Sequence, residues 1–186
     1  MKKTVYFAFF LMMTGILVSA IAYGGYEFTK PIIDANTADR IDESISLLYS
    51  ADDGFKRNDK QEINKYQELS EDNITGVYEV LDDNGDIYAI IYNVNAQGRN
   101  GLVFALVAVD PFTNTVVGVT YYDHAETPNL GERYTRDEEI VKLIGQSIDD
   151  VTVDVIAGAS TTWGAIDKMF NEIERHYIEQ EVHIDG

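Results

Sequence analysis

The segment 102-LVFALVAVDPFTNTVVGVTYYD-123 contains two runs rich in β-branched and aromatic residues, Leu102 to Asp110 and Thr115 to Asp123, around Pro111-Phe112-Thr113-Asn114. Pro presets one φ angle and Asn tolerates left-handed backbone, so these four residues predict a turn and the flanking runs an antiparallel pair. The same pattern occurs upstream. Gly76 to Leu81 and Ile87 to Tyr92 flank Asp82-Asp83-Asn84-Gly85-Asp86, where Asn-Gly supplies the positive φ angles of a hairpin. The oxygen-rich turn lacks the ligand spacing and closing Glu of an EF-hand loop, which favours turn chemistry over calcium. Four strands in a meander are expected.

Toward the C-terminus, Asp137 to Gln146 predicts a short helix opened by acids, and the alternation from Val151 to Ile156 predicts a further strand. From Thr161 to Glu179, Trp163, Ile166, Met169, Phe170, Ile173 and Tyr177 share one helical face. No internal repeat is evident. The architecture is α+β, with helices packed on an antiparallel or mixed sheet.

Toward the N-terminus, Met1-Lys2-Lys3 precedes an uncharged stretch from Thr4 to Tyr23, about the ~20 residues a helix needs to cross the hydrocarbon of a bilayer. A retained single-pass anchor is expected. The alternative is a cleaved signal peptide with Ala20-Ile21-Ala22 as its small-residue site, although the apolar stretch exceeds the usual ~7–15 residues of such signals. Lys2 and Lys3 predict a cytoplasmic N-terminus and an acidic domain on the outer side of the cell membrane. Ile33, Ile41, Ile45 and Leu48 recur at helical intervals, so a helix runs from Pro31 to Ser50. Ala51 to Thr75 reads as loop with one short helix or edge strand. The chain thus divides into an anchor over 1–30, a helical and irregular lead-in over 31–75, and a domain over 76–186.

Composition narrows the function. The 186 residues carry 14 Lys+Arg against 32 Asp+Glu, a formal net charge of −18 that repels polyanions and argues against nucleic acid as a partner. With 45% hydrophobic residues the chain can bury a real core. The absence of Cys removes disulfides, thiolate metal sites, cysteine nucleophiles and Cys-ligated clusters.

Two stretches can carry chemistry. Asp154-Val155-Ile156-Ala157-Gly158-Ala159-Ser160-Thr161-Thr162 runs from a strand through small residues into three hydroxyls and a helix start. Small residues let a ligand approach the backbone, and the free N–H groups and dipole of a helix N-terminus favour a phosphate. The competing reading is a plain helix cap, which needs only one hydroxyl. The second stretch is His124-Ala125-Glu126-Thr127-Pro128-Asn129-Leu130-Gly131-Glu132, a loop stiffened by Pro128 with Asn129 and Gly131 free to take left-handed geometry. A lone loop His is more often solvated than a ligand, and His124, His176 and His183 have no metal spacing. No metal site is expected. A Ser160-His124-Asp154 hydrolase triad lacks the Gly-x-Ser-x-Gly elbow and is disfavoured.

The segment DVIAGASTT resembles the flavin-attachment signature DxxSGATxT of the FMN-binding domain family, and HAETPNLGE resembles that family's HxETPGLG loop. Both occur in the family's order. The resemblance covers nearly the whole chain and is strongest to the short, single-span members that serve Rnf-type ferredoxin:NAD electron-transport complexes, related to the larger member of the same plan in the sodium-pumping NADH:quinone reductase. It implies a membrane-anchored electron carrier with covalently bound FMN, acting as one electron-transfer component of a complex rather than as a stand-alone enzyme. The implied partners are membrane subunits of an Rnf-type complex, a flavin transferase that attaches the FMN, and membrane lipid. Carried over by position, the resemblance puts the phosphoester on Ser160. It adds Asp154, Gly158, Ala159, Thr161, Thr162, Glu126, Thr127, Leu130 and Gly131 as cofactor-binding residues. Gly98-Arg99-Asn100-Gly101 resembles a glycine-rich approach loop.

The chain departs from the signature at Ala157 and Ser160, where Ser or Thr and then Thr are usual, which leaves Thr161 or Thr162 as alternative acceptors. Asn129 replaces a Gly in the loop. Two further functions stay open: a stand-alone extracytoplasmic flavinylated carrier, and a non-redox anchored assembly module that has lost its flavin.

Overall fold

The computed structural model describes residues 2–49, 56–57, 73–82 and 84–179. The described elements are α1 (Lys2–Leu48), β1 (Lys56–Arg57), β2 (Ile74–Leu81), β3 (Ile87–Gln97), β4 (Leu102–Asp110), β5 (Thr115–Asp123), α2 (Asp137–Leu143) and α3 (Ser160–Glu179). Short 3₁₀ turns lie at Gly131–Thr135 and Ile148–Asp150. The sequence readings that fall on residues 1, 50–55, 58–72, 83 and 180–186 lie outside the described residues.

Two compact units are present, Met1–Asp42 and Glu43–Gly186. The apolar stretch and the helix predicted after Pro31 are one helix, α1, with Pro31 inside it. Its most apolar 18-residue window has a mean hydropathy of 2.2 and no buried residues, so it is long and apolar enough to cross a membrane. The Thr14 hydroxyl donates to the Phe10 carbonyl at 3.0 Å, satisfying a polar group that hydrocarbon would otherwise penalise.

In the second unit the strands form an antiparallel sheet in chain order, β1-β2-β3-β4-β5. The β4–β5 pair has the predicted limits, and Asn114 takes φ 56° in its turn. The Asp82 carboxylate organises the preceding turn by accepting from Asn84 N at 2.8 Å and Asp86 N at 3.0 Å, while Gly85 takes φ 89°. The Asp86 bond above all holds the Asp82 carboxyl below its ordinary value of 3.8. A depressed carboxyl contributes stability above the unfolded-state value and loses it as pH falls through the folded one, so this turn weakens only in acid.

α3 lies against the sheet, burying Ile166, Met169, Phe170 and Ile173 with Ile90, Tyr92, Val94, Val103, Ala105 and Val107. Ala89, Ile91, Leu106 and Ala108 alternate with these and are also fully buried. Burial on both faces accounts for the near-continuous apolar runs of β3 and β4. On the second face Leu48 packs against Gly118, where a Cβ would come within 2.8 Å of the leucine Cδ2.

Several predictions change. β2 starts at Ile74 rather than Gly76, and α3 at Ser160 rather than Thr161. β3 extends to Gln97, because Asn93 is paired within the fold: its side-chain oxygen accepts from Tyr122 Oη at 2.9 Å. α2 stops at Leu143, with Gly145 at φ 83° beyond it. Val151 to Ile156 is not a strand. Side chains rather than a neighbouring strand satisfy its backbone: Gln146 accepts from Thr152 N at 2.7 Å, Trp163 Nε1 donates to Val153 O at 2.9 Å, and the Tyr134 hydroxyl accepts from Ile156 N at 2.8 Å. Alternation in sequence does not require a ladder when buried side chains take over its bonds.

Candidate functional site

The loop leaving β5 is braced from within. Asn129 takes φ 61°, as its replacement of Gly predicts, whereas Gly131 does not adopt positive φ. The Glu132 carboxylate accepts from Asn129 N at 2.9 Å and from Arg136 Nη2 at 3.2 Å, and Arg136 also donates to Asn129 Oδ1 at 2.9 Å. The Asn129 bond first, and Arg136 after it, holds the Glu132 carboxyl below its usual range.

This brace presents Glu126 inward. Its side chain is only 6% exposed, yet it is well partnered. Oε1 accepts from Arg99 N at 2.8 Å and Asn100 N at 3.3 Å, and Oε2 accepts from the Thr162 hydroxyl at 2.6 Å. One carboxylate thereby joins the β3–β4 loop, the β5 exit loop and the first turn of α3. A Cβ on Gly98 would strike Oε1, and one on Gly131 would strike both Oε2 and the Thr162 hydroxyl. These two glycines are required by close approach to the carboxylate. Asn100 adds a second link, donating to Thr127 Oγ1 at 3.0 Å.

The start of α3 completes the arrangement. Gly158 takes φ 85°, with Leu130 at its open side, and Ala159 is buried. Trp163 N donates to Ala159 O at 2.9 Å as the helix ladder begins, so the N–H groups of Ser160, Thr161 and Thr162 stand ahead of it. Ser160 and Thr161 are exposed and Thr162 is buried.

A shallow cleft at this junction is lined by Arg99, Glu126, Thr127, Leu130, Gly131, Gly158, Ala159, Thr161 and Thr162. Eight of the ten residues named from sequence therefore meet there. Ser160 sits beside the cleft at the helix start. Asp154 is elsewhere, pairing with Lys142 at 3.1 Å. The Lys142 ammonium, between Glu139 and Asp154, is held above its ordinary value. His124 Nε2 lies 3.4 Å from Thr135 Oγ1, so the two groups that would serve Ser160 in a triad are occupied separately. Among the described residues no group of His, Asp and Glu could hold a metal ion.

Arg99 was placed by the sequence only within the Gly98-Arg99-Asn100-Gly101 approach loop and was not named as a site residue, yet it lines the cleft. Sequence reasoning missed Tyr134. The Tyr134 hydroxyl donates to Asp154 O at 3.0 Å and accepts from Ile156 N at 2.8 Å, fixing the approach to Gly158. Burial chiefly pushes this phenol up. Tyr134→Phe removes both bonds at little change in volume and is expected to cost about 1–3 kcal/mol, read as a lower urea midpoint and faster exchange of the Ile156 amide.

Residues 98–173 match the FMN-binding domain family. The NqrC protein of the Na(+)-translocating NADH-quinone reductase of Yersinia pestis is 32% identical over 118 residues, 53% of this chain and 44% of the relative. Its counterpart in Pasteurella multocida is 27% identical over 116 residues, covering 53% and 45%. The crystal structure of Shewanella oneidensis NqrC superposes with a TM-score of 0.48 at 23% identity, covering 56% of this chain and 60% of that one. The similarity to the FMN-binding domain family is thus carried by residues 98–173, from the β3–β4 loop into α3. That region is similar to NqrC, and the chain spans less than half the length of the curated relatives it matches.

Proposed function

We propose that the chain is a membrane-anchored electron carrier whose FMN is held by a phosphoester to Ser160, within an Rnf-type ion-translocating complex. The observation that carries this reading is an exposed Ser160 hydroxyl on the first turn of a 20-residue helix, preceded by Gly158 at φ 85°. The residues fit a phosphate. Gly158 leaves the backbone open, the leading N–H groups of α3 and its dipole favour the anion, and the nearby Glu126 carboxylate is already taken up by the Arg99 and Asn100 amides and the Thr162 hydroxyl.

The cleft itself is small, about 10 Å³, room for roughly one water molecule, so the bulk of an FMN would lie outside it. An aromatic ring would instead rest against exposed apolar surface, for which Leu130 at 42% exposure is the nearest candidate. FMN, when bound, supplies one- or two-electron chemistry. Ser160 supplies the ester oxygen, and the Gly158 backbone gives the phosphate access. Thr127, Leu130 and Gly131 shape the adjoining wall, and Glu126 fixes that wall from behind. Asp154 holds Lys142 and belongs to the approach segment.

Covalent attachment answers a physical need. A chain of charge −18 on the outer side of a membrane would hold a free anionic cofactor weakly, whereas a tether makes its local concentration a matter of geometry. The N-terminus is assigned to the cytoplasm by Lys2 and Lys3, and the domain over 76–186 to the outer side.

The full chain, purified from a host that supplies a flavin transferase, is expected to fluoresce as a flavoprotein after denaturing electrophoresis. Its intact mass should rise by one FMN moiety. A colourless band of unmodified mass would overturn the covalent carrier and favour an assembly module. Co-purification from native membranes with other Rnf-type proteins is expected, and isolation alone would favour the stand-alone carrier.

A further inference from the structure

A second site lies away from the cleft. A cavity of about 380 Å³ opens where Leu48 packs against Gly118, lined also by Tyr49, Tyr88, Asp110, Phe112 and Val117. Its volume is within the range of about 300–1,000 Å³ usual for small-molecule sites.

Two irregularities of the sheet contribute residues to it. In the β2–β3 ladder Val80 pairs with Ala89 and Leu81 with Ile87, which makes Tyr88 the extra residue of a bulge. In the β4–β5 ladder Ala108 pairs with Gly118 and Val109 with Val116, which makes Val117 the extra residue of another. Bulges re-aim side chains that a regular strand would place on the opposite face. Both bulged residues line this one cavity. Tyr49 and Tyr88 meet edge to face at 5.9 Å, and Phe112 is 51% exposed.

Among the described residues of the lining, Asp110 carries the formal charge. The following turn fixes its carboxylate: Oδ1 accepts from Phe112 N at 2.8 Å and Thr113 N at 3.3 Å, and Oδ2 accepts from the Thr113 hydroxyl at 2.8 Å. Burial first, then Tyr88 and Asp110, pushes the Tyr49 phenol well above its ordinary range, so it remains a neutral donor. The field from Asp110 therefore reaches the cavity wall.

Three aromatic residues and a fixed carboxylate line one cavity, a combination that attracts a cation through ring faces and charge, while Leu48 and Val117 offer nothing to a bare metal ion and suit methyl groups. We propose that this cavity binds an alkylammonium cation of the choline type, either as a free solute or as a lipid headgroup. The site is independent of the flavin reading, and either can fail without the other.

The test uses the full chain in maltoside micelles, which contain no ammonium group, with ring-labelled Tyr and Phe followed by NMR. Titration with choline is expected to move the Tyr49, Tyr88 and Phe112 ring signals saturably. The neutral isostere 3,3-dimethylbutan-1-ol at the same concentrations is expected to leave them in place. Asp110→Asn, which keeps an acceptor for the turn, should weaken choline binding by roughly tenfold. Phe112→Leu should weaken it by roughly fivefold. The same shifts in phosphatidylcholine nanodiscs without added choline would identify a headgroup as the source, and their restriction to added choline a free solute. No saturable shift with choline in micelles or nanodiscs, equal shifts with the isostere, or an undiminished affinity in Asp110→Asn would overturn the proposal.

Discussion

Ser160→Ala, made in the full chain and co-produced with a flavin transferase, is expected to abolish the fluorescent band and the added FMN mass. Ser160→Thr should restore both, because it returns a hydroxyl to the same first-turn position. The neighbouring hydroxyls provide the discriminating control. Thr162 cannot easily substitute, since its oxygen is buried and committed to Glu126 at 2.6 Å. Thr161 is exposed one residue further along the helix and is the only near alternative. Residual fluorescence in Ser160→Ala that vanishes in Ser160→Ala/Thr161→Ala would move the acceptor to Thr161. Persistence in the double variant would defeat the assignment of the site to this helix start.

Glu126→Ala should cause the largest loss of stability outside the hydrophobic core. It strands the Arg99 and Asn100 amides and the Thr162 hydroxyl together, and leaves a void between Gly98 and Gly131. A loss of about 3 kcal/mol is expected from unsatisfied buried donors, read as a shift in the urea midpoint of the full chain in detergent. Glu126→Gln keeps one acceptor for the amides and should cost about 1 kcal/mol. A cycle with Thr162→Val should reveal coupling of at least about 1 kcal/mol. Additive effects would show that the 2.6 Å bond contributes nothing. Flavin attachment should fall with Glu126→Ala, because the wall behind the cleft and the first turn of α3 are held by the same two oxygens.

Most of the sheet was legible in the sequence, for local reasons. Pro111 to Asn114 and Asn84-Gly85 state their backbone geometry residue by residue, so the strands beside them have little freedom. The apolar face of α3 was legible because its period is long and unbroken. What escaped depended on distant partners. Asn93 and Asn95 look like loop residues until Tyr122 supplies a hydrogen bond to Asn93 across the sheet. Val151 to Ile156 alternates like a strand, yet Tyr134, Gln146 and Trp163 take the bonds that a neighbouring strand would have used. At the site, the motif residues were legible by type and order. The inward direction of Glu126 was not, because it depends on two glycines, Gly98 and Gly131, that are far apart in sequence.

The chain-order sheet has a consequence for maturation. Each strand pairs only with its neighbour along the polypeptide, so the meander can form progressively from local contacts, which favours rapid assembly. The Glu126 junction cannot form that way, since its last ligand is Thr162 at the start of the final helix. A modifying enzyme that recognises this junction would therefore encounter its substrate only after the rest of the domain had closed, and the structure itself would time the loading of the cofactor.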